Sequence, residues 1–343
     1  MKKILATTAL ATALVAGSAS AQQTWNLQST YPGSLTQLGT LGIHIAERVT
    51  ALTGGEITMV FQNPGAVVPA LEVFDAVGSG AVEAGWSTPG YWAGRVPALQ
   101  FMGSVPFGPE AGEYLAWMRH GGGQELLDEL YEPHNIKSVI CGLIAPEASG
   151  WFRNEINSVA DLRGLTMRFF GLGALVMEKM GVSTQLLAGG DIFPALELGT
   201  IDATEFSMPA IDLNLGFYQV ASYYYFPGWH QQATFFDLMI NLDLWESLDD
   251  RTQLLIETIC EASITHGLAE GEALQFEALR VLEEDHGVNI RSWSAEDLAA
   301  FEAAWMEVVA EQSAADADFA RVYESYATFR ENYRRWGELG YLR

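Results

Sequence analysis

From Thr24 to Asn241 short runs rich in β-branched and aromatic residues alternate with amphipathic stretches, and from Asp249 onward the periodicity is helical. Thr24 to Ser29 reads as a strand with Trp25 and Leu27 on one face, and Leu35 to Leu52 as a helix closed by Thr53-Gly54-Gly55. Glu56 to Gln62 reads as the next strand, Pro69 to Val77 as helical, and Val82 to Thr88 as strand again. Helical crossovers between strands are what parallel pairing requires, so this βαβαβ rhythm implies an α/β domain with a largely parallel sheet.

A second unit of the same kind begins near Ile136. Ile136 to Leu143 and Gly150 to Arg153 read as strands, Val159 to Leu162 as a short helical turn, and Thr166 to Arg168 as a strand entering a helix at Ala174 to Met180. Ser183 to Leu186 and Ala203 to Phe206 continue that sheet, and Ala233 to Asn241 is one more strand. Long helices are expected over Asp249 to His286, Ala295 to Gln312 and Asp316 to Gly340. In the last of these Phe319, Val322, Tyr326 and Phe329 share a face, which either packs on its own body or meets a second copy in a homodimer.

The first residues have the composition of an export signal. Lys2 and Lys3 precede an apolar stretch from Ile4 to Ala16 and the small-residue site Ala19-Ser20-Ala21, so a mature chain starting at Gln22 in the periplasm is expected. About 320 residues remain after it, enough for two domains with separate cores. Nowhere does an apolar run reach the roughly 18 residues of a membrane span. Cys141 and Cys260 are the only cysteines; both lie in apolar contexts and are expected as buried, unpaired thiols, although export would permit their oxidation. No Cys/His cluster suggests zinc. The formal charge is −25, two units more negative without Lys2 and Lys3, which excludes nucleic acid as a partner because phosphate neutralisation needs a basic footprint.

Against that acidic background Arg168 stands out. It lies in Thr166-Met167-Arg168-Phe169-Phe170-Gly171, with no acid beside it in sequence, and no Lys or Arg occurs from Gly181 to Asp250. A buried guanidinium requires an anion for its planar set of donors. That anion is either an internal partner, with Glu147, Glu205 and Asp202 as candidates, or an incoming carboxylate. Arg168 is placed at the carboxyl end of a strand, where ligands settle in open α/β sheets, and Glu205 at the equivalent end of another.

The string Asn157-Ser158-Val159-Ala160-Asp161-Leu162-Arg163-Gly164-Leu165-Thr166-Met167-Arg168, followed by Gly189-Gly190-Asp191-Ile192-Phe193-Pro194-Ala195-Leu196-Glu197 and Gly199-Thr200-Ile201-Asp202-Ala203-Thr204-Glu205, resembles the extracytoplasmic solute receptors of tripartite ATP-independent periplasmic (TRAP) transporters. The resemblance is to the branch that binds 2-oxo or 2-hydroxy monocarboxylates together with a metal ion. It implies two α/β lobes of the periplasmic solute-binding type closing on a small organic acid, with long C-terminal helices. The implied lobes are 22–144 with 233–275 and 145–232 with 276–315, leaving 316–343 as a C-terminal helix. It also implies that Arg168 clamps the carboxylate bidentately, and that Na⁺ or Ca²⁺ sits among Glu147, Glu205, the backbone carbonyl of Phe206 and Gln231. Relative to the pattern of that branch, acid and amide are exchanged between positions 147 and 231, so the charge of the shell is kept while its arrangement differs.

A carboxylate oxygen and an adjacent C2 oxygen can chelate such a cation, which explains selection of 2-oxo and 2-hydroxy acids. Tyr91, Trp92, Phe169, Phe170, Phe206 and Trp229 are expected to wall the pocket, Tyr31 more weakly, and His230 to donate to the ligand. Other anions (a dicarboxylate, a sugar acid, a sulfonate) and a ligand-sensing role remain as alternatives within the same architecture. A hydrolase built on Glu147, Glu205 and His230 is the enzymatic alternative; no nucleophile elbow, phosphate loop or dinucleotide fingerprint supports it, and no catalysis is expected. The implied partners are TRAP membrane subunits.

Overall fold

A computed structural model describes residues 22–342; the expected export signal over 1–21 lies outside the described residues. The strands are β1 (Gln23–Ser29), β2 (Ile57–Gln62), β3 (Ala84–Ser87), β4 (Ile136–Ile144), β5 (Gly150–Phe152), β6 (Thr166–Arg168), β7 (Ser183–Gln185), β8 (Ala203–Thr204), β9 (Tyr223–Phe226), β10 (Thr234–Asn241) and β11 (Asn289–Ser292). The α-helices are α1 (Leu38–Leu52), α2 (Val73–Gly78), α3 (Ala111–His120), α4 (Gly123–Tyr131), α5 (Gly171–Lys179), α6 (Gly189–Glu197), α7 (Pro209–Leu215), α8 (Leu242–Glu246), α9 (Asp250–Arg280), α10 (Ala295–Ala315) and α11 (Ala317–Gly340). No helix among the described residues is long and apolar enough to cross a membrane.

Two sheets form, one in each lobe. The first has the order β2-β1-β3-β10-β4 and the second β11-β9-β5-β8-β6-β7. Strands β1, β2 and β3 are parallel, and β10 runs against both β3 and β4. In the second sheet β5 is the reversed strand, antiparallel to β8 and β9, while β6 pairs in parallel with β7 and β8 and β11 with β9. Each sheet is thus parallel except for one strand, and in each that strand is the one entered directly from the other sheet. The chain leaves β4 for β5 through residues 145–149 and returns from β9 to β10 through 227–233.

The start of α1 illustrates local control. Gln37 adopts φ 61° and ψ −54°, and the Leu38 amide donates to the Thr36 carbonyl at 2.7 Å, a tight three-residue turn that delays the helix to Leu38. The indole of Trp86 on β3 then donates to the Leu38 carbonyl at 2.7 Å, fixing α1 over the first sheet. Along β10 the register shifts between Phe236 and Asp237, a bulge that sends Asp237 to Tyr131 and Ser138, each donating at 2.8 Å.

The long helices tie the lobes together. Helix α9 packs on β4 and α1 of the first lobe and on α7 of the second, then widens through a π-turn over Val281–Asp285 before β11. Its Cys260 is disulfide-bonded to Cys141 of β4. The expectation of free thiols is therefore corrected: α9 lies on β4, and that packing, invisible in a sequence separation of 119, brings the two sulfurs together.

Helix α11 returns to the first lobe. Phe319 meets Phe101 with ring centroids 4.6 Å apart, Tyr326 meets Trp117 at 5.4 Å, and Phe319, Val322 and Tyr326 are buried. The apolar stripe expected either to pack inward or to join two copies is thus used within its own chain. Helices α3 and α4, which α11 covers, were not evident in the sequence, because Gly121-Gly122-Gly123 interrupts the helical pattern between them.

Candidate functional site: a buried carboxylate cluster between two lobes

In the second sheet β6 and β8 end side by side, with Arg168 in register with Thr204, so Glu205 follows directly beside the guanidinium. The backbone continues the pairing, the Glu205 amide donating to the Arg168 carbonyl at 3.2 Å. Arg168 is 1 % exposed. Its Nη1 donates to Oε1 of Glu205 at 2.7 Å and to the Glu205 carbonyl at 2.9 Å, and its Nε donates to the Leu187 carbonyl at 3.2 Å. The Phe170 amide donates to the same Oε1. The rings of Phe206 and Phe170 lie 5.2 and 6.0 Å from the guanidinium carbon.

This corrects the picture of a guanidinium awaiting a counter-ion with both arms of its fork open. Glu205, one of the three internal partners considered, already neutralises it. Nη1 and Nε are committed, and Nη2 makes no hydrogen bond among the described residues, so a ligand would meet one arm.

The two crossing segments bring the other polar groups. They run against each other, the Glu147 amide donating to the Gln231 carbonyl at 3.3 Å and the Ser149 amide to the Tyr225 carbonyl at 2.8 Å. Oε1 of Glu147 accepts from the Ser207 hydroxyl at 2.9 Å. Its Oε2 has no partner, nor has Oε2 of Glu205, Oε1 of Gln231, or either ring nitrogen of His230, although all are buried. Nε2 of His230 is 3.6 Å from Oε2 of Glu205 and 4.0 Å from Oε2 of Glu147, too far for hydrogen bonds.

Electrostatics sharpen the problem. Burial, and then the charge of Glu205, push the Glu147 carboxyl well above its ordinary range, with the Ser207 hydroxyl opposing. Burial would raise Glu205 as well, but Arg168, His230 and the Phe170 amide outweigh it and hold that carboxyl below its usual value. Orphaned buried oxygens are costly, and several converging on one point are the donor set of a hard cation. Ligand atoms of Glu147, Glu205 and His230 lie within 4.8 Å of one another, about the span across an ion whose oxygens sit at roughly 2.3–2.6 Å. The residues present therefore fit a cation, Glu147 and Glu205 through their bare oxygens with His230 in the same group, while Gln231, whose amide oxygen is also buried and unpartnered, lines the adjoining cavity.

Beside this cluster lies a cavity of about 20 Å³, far below the size of typical drug-binding pockets. Among the residues expected at the site, Glu147, Arg168, Phe170, Phe206, Gln231, Tyr91 and Tyr31 line it. Glu205 stands behind Arg168. Phe169, Trp229 and His230 form an aromatic layer outside the cavity wall, with Phe169 and Trp229 rings 4.9 and 5.7 Å from the His230 ring. Trp92 packs away from the cavity against Phe74, with ring centroids 5.5 Å apart. The wall also contains Leu38, Thr88, Ser207, Thr234 and Phe236, which sequence reasoning did not select. Thr234 and Phe236 could have been found by taking alternate residues of β10 as one face; nothing comparable marks Leu38, which reaches the cavity only through the turn at Gln37.

The two lobes meet at Phe170. A Cβ on Gly90 would sit 2.4 Å from Cζ of Phe170, and one on Gly103 would lie 2.9 Å from the Gly90 Cα, so the ring fills a socket that only glycines leave open. Tyr91 completes it, its ring edge-on to Phe170 at 5.3 Å.

Comparison with known proteins agrees with this architecture. Residues 29–316 match the family described as bacterial extracellular solute-binding protein, family 7. A monocarboxylate 2-oxoacid-binding periplasmic protein of Nostoc sp. is 37 % identical over 320 residues, 93 % of this chain and 87 % of that protein. A TRAP transporter solute-binding protein of Bordetella bronchiseptica, solved as a mixed-occupancy dimer with copurified calcium and picolinate in one site, has a TM-score of 0.90 and 35 % identity, covering 93 % of this chain and 95 % of the other. One from Pseudoalteromonas atlantica with bound sodium and pyruvate has a TM-score of 0.88 and 32 % identity, covering 92 % and 96 %. The family match and the shared fold agree: the chain belongs to the family 7 bacterial extracellular solute-binding proteins, the solute receptors of TRAP transporters.

Proposed function

We propose that this receptor binds a small 2-oxo or 2-hydroxy monocarboxylate of the pyruvate or lactate type together with a hard cation, Na⁺ or Ca²⁺. The observation that carries the reading is the division of labour in two carboxylates: Glu147 and Glu205 each have one oxygen held by the protein and one bare, with the bare amide oxygen of Gln231 alongside. Those three oxygens and the Phe206 carbonyl would hold the ion. The relatives that bind pyruvate with sodium or calcium support the same choice of ligand and ion. When bound, the cation would supply positive potential to a carboxylate and its neighbouring C2 oxygen.

The protein's own residues do the rest. Nη2 of Arg168 is free to take the carboxylate from the second lobe, and His230 faces the same cluster from the returning segment. Tyr31, Tyr91 and Phe236 close the cavity from the first lobe, so a ligand touches both lobes only when they are together and shifts the equilibrium toward closure. A second carboxylate would find no further cation, because Arg168 is the only basic residue lining the cavity among the described residues; this favours monocarboxylates over dicarboxylates. The lobes of this reading are 22–144 with 233–275 and 145–232 with 276–315, and the segment before Gln22 is a cleaved export signal that delivers the receptor to the periplasm. It hands its ligand to the TRAP membrane subunits and catalyses no reaction. For a homodimer the apolar surface left on α11 is its end, where Trp336 and Leu339 are exposed.

Calorimetry of chelator-treated protein tests the reading. Pyruvate is expected to bind after addition of Ca²⁺ or Na⁺ and to bind far more weakly in their absence; unchanged affinity without any cation would overturn the ion, and no binding under either condition would overturn the ligand class.

A further inference from the structure

The wall that faces Arg168 across the cavity contains two unexplained hydroxyls. Thr88, immediately after β3, is 3 % exposed, and Thr234, the first residue of β10, is 1 % exposed. Each Oγ1 is buried and without a hydrogen-bond partner among the described residues, and both residues line the cavity that holds Arg168, Glu147 and Gln231. Buried hydroxyls nearby are satisfied: Thr30 bonds Ser87 at 3.0 Å, and Thr204 donates to the Glu205 carbonyl at 2.8 Å. Two orphans on one wall, in a protein that pairs their neighbours, mark polar capacity kept for something else.

Their chemistry narrows what that is. A hydroxyl both donates and accepts and carries no charge, so it can pair with another hydroxyl, whereas a methyl offers it no partner. The first-lobe wall offers Tyr31, Leu38, Thr88, Tyr91, Thr234 and Phe236, with no cation for a second anionic group. A ligand whose carboxylate faces Arg168 and whose C2 oxygen faces the carboxylate cluster presents its C3 substituent to this wall. A bare C3 methyl would leave both hydroxyls desolvated and unpaired.

We propose that Thr88 and Thr234 form a subsite for a neutral hydroxyl on C3, so that the preferred ligands are three-carbon acids oxygenated at both C2 and C3, of the hydroxypyruvate or glycerate type. The inference rests on the 2-oxo or 2-hydroxy acid reading above and narrows it. Thr88 and Thr234 are specificity residues here: they contribute no charge and do not hold the carboxylate.

Isothermal titration of the full mature chain, in Na⁺ and separately in Ca²⁺, compares hydroxypyruvate with pyruvate and glycerate with lactate, pairs that differ only in the C3 hydroxyl. The hydroxylated member is expected to bind at least about ten-fold more tightly, the fold-change that one net hydrogen bond supplies. In Thr88→Val and Thr234→Val, near-isosteric changes whose folding is checked by thermal melts, the preference should shrink through weaker binding of the hydroxylated acid while pyruvate stays within about two-fold. Thr234→Ser should retain the preference. Equal affinity of the two members for the unmodified protein overturns the subsite, as does an equal loss for pyruvate in the valine variants, which would place the hydroxyls on the carboxylate or on a shared water. Failure of all four acids to bind with either ion overturns the 2-oxo acid reading itself.

Discussion

Oε1 of Glu205 lies 2.7 Å from Nη1 of Arg168, while Oε2 of the same carboxylate meets no donor at all. One residue thus neutralises the strand-end arginine and, with its other oxygen, faces Glu147 and His230. The pair is fully buried, and removing one member leaves the other charged and uncompensated.

Arg168→Ala is therefore expected to do two things. Ligand affinity should be lost, and stability should fall by about 3–5 kcal/mol, the usual cost of breaking a buried pair from one side. Urea unfolding measures the second effect and calorimetry the first; a variant as stable as the parent would mean that Glu205 is neutralised by something other than Arg168.

Glu147→Gln removes a carboxylate that stands beside Glu205 in a dry site. Without added cation the thermal midpoint of this variant should exceed that of the parent, because burial and Glu205 push the Glu147 carboxyl well above its ordinary range, and the neutral amide carries no such ionisation cost. The upward shift in midpoint that Ca²⁺ gives the parent should shrink correspondingly. Scanning calorimetry with and without chelator reads both, and an unchanged calcium response would remove Glu147 from the shell.

Asp237 provides a pH dependence away from the cavity. Burial pushes its carboxyl up to about 7, against the donors Tyr131 and Ser138, whereas in the unfolded chain it titrates near its ordinary value of about 3.9. Between those values the folded state holds a proton that the unfolded state has released, so this group's contribution is fully favourable below about pH 4 and is lost as pH rises through about 7. The advantage of Asp237→Asn over the parent should accordingly grow from about pH 5 to pH 8.5, by about 3 kcal/mol at most. Paired denaturation curves at the two pH values decide it; a constant difference would show that Asp237 stays charged when folded.

The Cys141–Cys260 bridge closes a loop of 119 residues between β4 and α9. Chain-entropy reasoning gives such a cross-link about 5 kcal/mol at most, with about 2–5 kcal/mol the usual measured cost of losing a native bridge. The exported protein should show no free thiol when denatured without reductant, and dithiothreitol should lower its melting midpoint. Two titratable thiols in the untreated protein would contradict the bond.

Gly90→Ala tests the interlobe socket. The added methyl carbon would sit 2.4 Å from Cζ of Phe170, a clash that separation of the lobes relieves. Affinity should fall by about ten-fold or more with little change in denaturation midpoint, since the clash is absent from the open form. Small-angle scattering in saturating ligand should show a larger radius of gyration than for the parent; identical profiles would indicate that Phe170 yields locally.

Much of this was legible in the sequence because strand ends announce themselves. Thr166 to Arg168 and Ala203 to Phe206 carry short β patterns with a charged residue at or beside their ends, and the αβ alternation fixes which end of the sheet they occupy. What sequence could not reveal is lateral: that β6 neighbours β8, so that Arg168 meets Glu205, or that α9 lies over β4, so that two cysteines touch. The hydroxyls of Thr88 and Thr234 were equally silent, since their interest lies in partners they lack, and that is a property of the packed interior.

The passages between the sheets, 145–149 and 227–233, hold Glu147 and Gln231, and they are also where the polypeptide must flex if the halves swing apart. Spreading the halves would bend the passages that carry Glu147 and Gln231, two of the proposed ion ligands. Unlatching the mouth and loosening the metal would then be a single movement, with acid and ion released at the membrane as one cargo.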